Sequence, residues 1–132
     1  MGQRAGVNRE DYTGRVEQTM AEDRIKALLA IAEAQPEEVM IWYGLANEYV
    51  KLERWQEAVD ALRRTVALNA DYTSAYQMLG TALLKLGQRE EARLAWTEGL
   101  EVAGRTGAWN ARQHMERLLA DPAGEGTGLC AE

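Results

Sequence analysis

Phenylalanine is absent from this 132-residue chain, cysteine and histidine occur once each, and proline only twice. A lone thiol, Cys130, closes no intramolecular disulfide, and a lone imidazole, His114, has no cysteine partners for a metal cluster. Neither a metal nor a cofactor is expected. Basic residues are also in deficit, 15 against 21 acidic ones, for a net charge of −6. A binder of the phosphate backbone needs a concentrated basic face, so nucleic acid is not an expected partner. No apolar run reaches the ~20 residues of a membrane span, and the opening MGQRAGVNRED lacks the apolar stretch of a signal peptide. The expected setting is the cytoplasm, with no membrane partner.

What the chain does have is a period. Between Trp42 and Leu100 the same pattern occurs twice at an offset of 34 residues: Trp42 with Tyr76, Leu45 with Leu79, Ala46 with Gly80, Tyr49 with Leu83, Ala58 with Ala92, Leu62 with Trp96. Large falls on large and small on small. A period of this length is that of stacked helix–turn–helix units, each burying its apolar face on a neighbour. The first unit spans about 39–72. Its first helix presents Trp42, Leu45, Ala46 and Tyr49, and its second presents Ala58, Val59, Leu62 and Val66. The second unit spans about 73–106, with Asp71 or Thr73 as a candidate cap and Gly87 at its inner turn. Gly80 is unfavourable in a helix interior, which makes sense if close approach of a neighbour outweighs propensity.

Around these units the pattern changes. Residues 1–19 are polar, carry Gly2, Gly6 and Gly14, and find no match at the offset; disorder is expected, against a weaker helical alternative through Tyr12, Val16 and Met20. Met20 also stands as an alternative initiator. From Ala21 to Gln35 an apolar stripe of Ile25, Leu28, Leu29, Ile31 and Ala32 reads as a helix, closed by Pro36. It resembles the second helix of a unit whose first helix is missing. Residues 108–121, with Trp109, Met115, Leu118 and Leu119, read as an amphipathic capping helix, and 122–132, beginning at Pro122, as a disordered tail. The repeat domain is thus placed at 20–121.

Chemistry-bearing constellations are lacking. Glu37, Glu38, Glu90 and Glu91 lie at helix starts, where the dipole favours them, and Arg63, Arg64, Arg89 and Arg93 fall on second helices as solvated charges. His114 has no partner for acid–base work. Trp42 and Trp96 belong to packing positions, leaving Trp55 and Trp109 as candidates for partner contact. No catalytic residue, and so no enzyme, is expected.

At Trp42, Leu45, Ala46, Tyr49, Ala58 and Leu62, and again at Tyr76, Leu79, Gly80, Leu83, Ala92 and Trp96, the chain resembles the tetratricopeptide repeat over roughly 21–120. It departs from that pattern at Glu53, where a turn glycine is common, and at Ala70 and Gly104, where proline is usual. The resemblance implies an all-α, right-handed superhelix of about six helices whose first helices line a groove for a peptide or helix of a partner protein. On matching positions that groove is lined by Met40, Tyr43, Asn47, Val50 and Lys51, then by Ser74, Gln77, Met78, Thr81, Leu84 and Lys85. The members that clamp a carboxylate use two Lys, two Asn and an Arg. Their positions fall here on Tyr43, Asn47, Met78, Ala108 and Arg112, so only Asn47 and Arg112 fit. The function implied is a protein-binding scaffold; the alternative is a homodimer formed through the uncovered N-terminal helix.

Overall fold

The computed structural model describes residues 9–120, with side chains from residue 14 onward. The expected tail at 122–132, with Pro122 and Cys130, lies outside the described residues, as do residues 1–8. Six helices follow one another: α1 (Arg9–Ala34), α2 (Val39–Lys51), α3 (Trp55–Leu68), α4 (Thr73–Lys85), α5 (Arg89–Thr106) and α6 (Trp109–Ala120). Each packs on the next, and α4 also touches α6. The described residues form an all-α array in which α2–α3 and α4–α5 are the two repeats.

α1 reaches back to Arg9, across 9–19 where disorder was expected. Ile25 and Ala32 join the core and fix the later turns of this helix. Once those are in place, each preceding residue adds one helical hydrogen bond at the cost of ordering one residue. Val16 and Met20 have the helical spacing of the alternative reading, yet both stay exposed.

The period repeats in the turns as well as in the helices. The Arg54 N–H donates to the Tyr49 carbonyl at 2.9 Å, and 34 residues later the Gln88 N–H donates to the Leu83 carbonyl at 2.9 Å. Between these partners the backbone turns left-handed, at Gly87 (φ 83°) and at Glu53 (φ 57°). Glutamate thus adopts a conformation in which a Cβ is disfavoured. Between the repeats, the Asp71 N–H donates to Asn69 Oδ1 at 3.0 Å, and Tyr76 Oη donates to the Ala70 carbonyl at 2.9 Å. These bonds shape a corner that has no proline.

Neither expected cap of α4 acts as one. Tyr72 holds the cap position without a side-chain bond, while the Asp71 carboxylate accepts from Arg105 at 2.7 Å. Asp71 stands one residue before the cap position and Thr73 one residue after it, so neither side chain is placed to cap the helix. Arg64 is likewise not simply solvated. Its guanidinium lies 5.5 Å over the Trp42 ring and donates to the Pro36 carbonyl, which also accepts from Trp42 Nε1 at 2.8 Å.

Inside each pair, separation is set by one small residue facing one large one. In repeat one Ala46 and Leu62 are both fully buried. In repeat two these places hold Gly80 and Trp96, and the indole occupies the space a Cβ on Gly80 would need, with its Nε1 donating to the Gln77 carbonyl at 3.2 Å. The larger ring is admitted by removing one methyl group opposite. Met115 of α6 seats in the same way on Gly99, where a Cβ would also come within 2.7 Å of Tyr76 Cβ.

The two ends depart from this rule. On α1, Arg24 stands where α3 has Ala58 and α5 has Ala92, and it reaches Glu48 Oε2 of α2 at 3.1 Å. Glu48 is buried at the place where α4 carries Ala82, and its Oε1 has no hydrogen-bond partner among the described residues. On α6, with α5 four residues longer than α3 (18 against 14) and the next loop two residues shorter, the helix starts stand 36 residues apart rather than 34, so that buried Met115 takes the place of Leu79 and exposed Glu116 that of Gly80. A large polar residue replaces a small one at each end, which suits termini that face water.

Gly80→Ala is expected to lower unfolding stability by about 1–3 kcal/mol in spite of the better helix propensity of alanine, because Trp96 must move. Adding Trp96→Leu rebuilds the repeat-one pair and should recover most of that loss. Urea unfolding of the two variants checks both; a double variant no more stable than Gly80→Ala would contradict the packing account.

Candidate functional site

The first helices α2 and α4, with α6 beyond them, turn one set of side chains into the core and another out. Leu45, Ala46, Tyr49, Tyr76, Leu79, Gly80 and Leu83 point inward and are buried. The expected groove residues occupy the alternate positions, and none of them is buried. Met40, Lys51, Ser74 and Lys85 are exposed; Tyr43, Asn47, Val50, Gln77, Met78, Thr81, Leu84 and Arg112 are half-buried. An outward set at i, i+3, i+4 spacing is what a helix produces when the inward set already follows that spacing.

The start of the groove is aromatic. The rings of Tyr43 and Tyr72 lie 4.7 Å apart at 38°, and the Tyr72 hydroxyl sits 3.6 Å from the sulfur of Met40, which is 59% exposed. Tyr72 links α2 to α4, and the repeat pattern passes over it because the residue 34 positions earlier is Glu38. Along the middle, Asn47 Nδ2 donates to the Tyr43 carbonyl at 3.2 Å and Thr81 Oγ1 to the Gln77 carbonyl at 3.2 Å. Asn47 keeps its amide oxygen and one N–H for a partner, whereas Thr81 keeps only acceptor capacity. Half-buried Val50 and Leu84 form equivalent apolar positions in the two repeats.

The far end is basic. Lys51 and Lys85 are the last residues of α2 and α4, 34 positions apart. Lys51 Nζ lies 3.5 Å from Glu48 Oε2, while Lys85 Nζ lies 5.8 Å over the ring of half-buried Trp55. Trp55, singled out for partner contact, is therefore partly covered by a groove residue. Arg112 is already engaged, with Nε 3.2 Å from Glu116 Oε2 and its guanidinium 5.4 Å from the ring of Trp109, itself 60% exposed. Of the five places of a carboxylate clamp, those at Tyr43, Met78 and Ala108 lack the expected residue, and neither lysine is present.

A separate cleft of ≈ 690 Å³ opens where α1 passes the end of α2, lined among others by Glu17, Met20, Arg24, Lys51, Leu52 and Glu53. It exists because α1 continues through residues expected to be disordered, so the sequence held no signal for it. Its mixed charges form no acid–base pair or nucleophile set. No helix among the described residues is long and apolar enough to cross a membrane.

A family model described as tetratricopeptide repeat matches residues 25–73 and 43–108. The TPR repeat-containing protein PA0015 of Pseudomonas aeruginosa is 29% identical over 80 residues, which cover 61% of this chain and 76% of that protein. Among solved structures, protein BPP2914 of Bordetella parapertussis is similar with a TM-score of 0.66 and 25% identity, over 78% of this chain and 90% of that one. The first TPR of Spaghetti (RPAP3), bound to the HSP90 peptide SRMEEVD, has a TM-score of 0.63 and 26% identity, over 85% of this chain and 90% of that one.

Three tyrosines are held above their ordinary pKa. Burial raises Tyr72, with Tyr43 adding to it. Burial also raises Tyr76, reinforced by Glu98 and Asp71 and opposed by Arg105. Tyr49 is raised by burial and Glu57, against Arg54. A raised phenol pKa means that the folded state prefers the neutral form. This stability is fully present below the ordinary value of about 10 and is lost as pH rises through the folded value. Unfolding stability should therefore fall above pH of about 10, and Tyr76→Phe should remove part of that fall while costing about 1 kcal/mol at neutral pH through the lost bond to Ala70. Thermal unfolding across alkaline pH measures both; an unchanged alkaline fall in Tyr76→Phe would show that Tyr76 does not contribute.

Proposed function

The chain belongs to the tetratricopeptide repeat family, and we propose from this that it is a non-enzymatic interaction module that receives a peptide or helix of a partner protein on the face shared by α2, α4 and α6. The observation that carries this is the outward set of side chains. It runs from the Tyr43–Tyr72 contact to Lys51 and Lys85, mixes apolar with amide and hydroxyl groups, and stays partly open to solvent although Tyr43, Val50, Tyr72, Met78 and Leu84 also pack against the edge of the core. Such a surface suits a peptide backbone plus one or two apolar side chains. The similar RPAP3 repeat is described bound to a heptapeptide, which supports an occupant of that size. The same mode of capture is not proposed, because only Asn47 and Arg112 of the five clamp places fit and both lysines are absent.

Two repeats with flanking helices offer a short groove, so an affinity in the micromolar range, about −8 kcal/mol, is expected. In titrations of a fluorescent peptide library, Tyr43→Ala and Asn47→Ala should each weaken the best binder by about 1–2 kcal/mol, roughly five- to thirtyfold. Unaltered binding in both variants would remove the groove from consideration.

A second reading, pairing of two copies along α1, is favoured by the open face of that helix. At the α1 positions that match Ala58, Ala61, Leu62 and Thr65 of α3, all buried, stand Arg24, Ala27, Leu28 and Ile31; Ile31 is 40% exposed. Arg24 at the close-contact position opposes a helix packed there as tightly as inside the array. Sedimentation over a range of concentrations decides: a dimer that Ile31→Lys dissociates supports pairing, and a 14.7 kDa monomer throughout ends it.

A further inference from the structure

The groove is polarised, and its two ends ask for different chemistry. Its start carries Met40, Tyr43 and Tyr72, a thioether and two phenol rings with no ionised group among them. Its end carries Lys51 and Lys85 at equivalent places in successive repeats. No carboxylate occurs among the outward groove positions, although the chain holds 21 acidic residues.

A lysine in the last turn of a helix also suits the helix dipole, so the state of the two side chains matters. Both ammonium groups are exposed. Lys51 has Glu48 at 3.5 Å, but that carboxylate oxygen is more closely held by Arg24 at 3.1 Å, and exposed Glu53 lies two residues further on. Lys85 has no carboxylate within ion-pair distance among the described residues; its neighbour is the face of Trp55, at 5.8 Å. An ammonium ion over a ring is partly desolvated without being neutralised, and so is open to an anion.

Resting on the groove reading, we propose that the partner is an acidic segment: an apolar or aromatic side chain docks against Met40, Tyr43 and Tyr72, and carboxylates meet Lys51 and Lys85. The spacing follows from the helix. Met40 and Lys51 are eleven residues apart on α2, a rise of about 16 Å at 1.5 Å per residue. An extended chain covers that in about five residues. A helical segment lying along α2 would instead place its carboxylates about eleven residues from its anchor. These cations stand in the last turns of the first helices, away from the clamp places held by Tyr43 and Met78.

An array of synthetic peptides of about ten residues (extended length about 33 Å), matched in apolar content and graded in net charge, is probed with the labelled full chain. The best acidic peptide and its Glu→Gln counterpart are then titrated against wild type, Tyr43→Ala and the double variant Lys51→Glu/Lys85→Glu. The lysines are exposed, so the variant should fold, which circular dichroism verifies. Expected are acidic peptides at the top of the array, binding that weakens with salt, and a loss of about tenfold or more in the double variant. The Gln counterpart should be weak and indifferent to the double variant, and a Glu→Lys counterpart should bind the double variant better than wild type. If the Gln counterpart binds as tightly as the acidic peptide, and the double variant is unchanged while Tyr43→Ala weakens both, the acidic partner is overturned and the groove stands. If Tyr43→Ala leaves every peptide unaffected, the groove reading falls, and this proposal with it.

Discussion

The separation between paired helices, set by one missing methyl group opposite one large side chain, is what the remaining structure depends on. Gly80 gives up helix propensity so that the Trp96 indole can lie against its backbone and donate to the Gln77 carbonyl. Repeat one reaches a similar fit with Ala46 and Leu62. Two different solutions to one volume constraint explain why the repeats align at small and large positions but share few identical residues. Close packing makes the constraint strict, because interiors have no slack to absorb a displaced ring.

From that separation follow the turns and the ends. Both inner turns return the chain after the same number of residues through the same N–H to carbonyl bond, even though one uses Gly87 and the other a left-handed Glu53. At the termini the small residue gives way to Arg24 on α1 and Glu116 on α6. The charged contact of Arg24 with Glu48 replaces the apolar contact that joins the inner helices. A buried carboxylate with one unpartnered oxygen favours a single docking register of α1 more than it adds stability.

The outward face is a by-product of the same geometry. A first helix whose inward face is used must show its outward face, and two repeats set two such faces side by side. What gives the surface a character of its own is the side chains that are not fully buried: tyrosine and methionine at one end, lysine at the other. Tyr72 belongs to neither repeat's pattern, yet it bridges them by stacking on Tyr43. The similarity to other tetratricopeptide repeat proteins accounts for the scaffold, while the absence of both lysines from the mapped clamp places separates this chain from one known use of it.

The amino-acid sequence alone determined the helix pairs, their 34-residue period, their inward residues and the positions left facing outward. Each of these follows from side-chain size and helical spacing, which are local properties. Tertiary structure decided the rest. α1 extends to Arg9 because packing of Ile25 and Ala32 supports turns that composition disfavours. The cap of α4 falls on Tyr72, between the two expected residues, and Asp71 pairs with Arg105, 34 residues away. Arg64 lies on Trp42, Lys85 on Trp55, and Tyr72 on Tyr43. Such pairings depend on distances between residues remote in the chain, and a pattern of sizes and spacings along one helix carries no information about them.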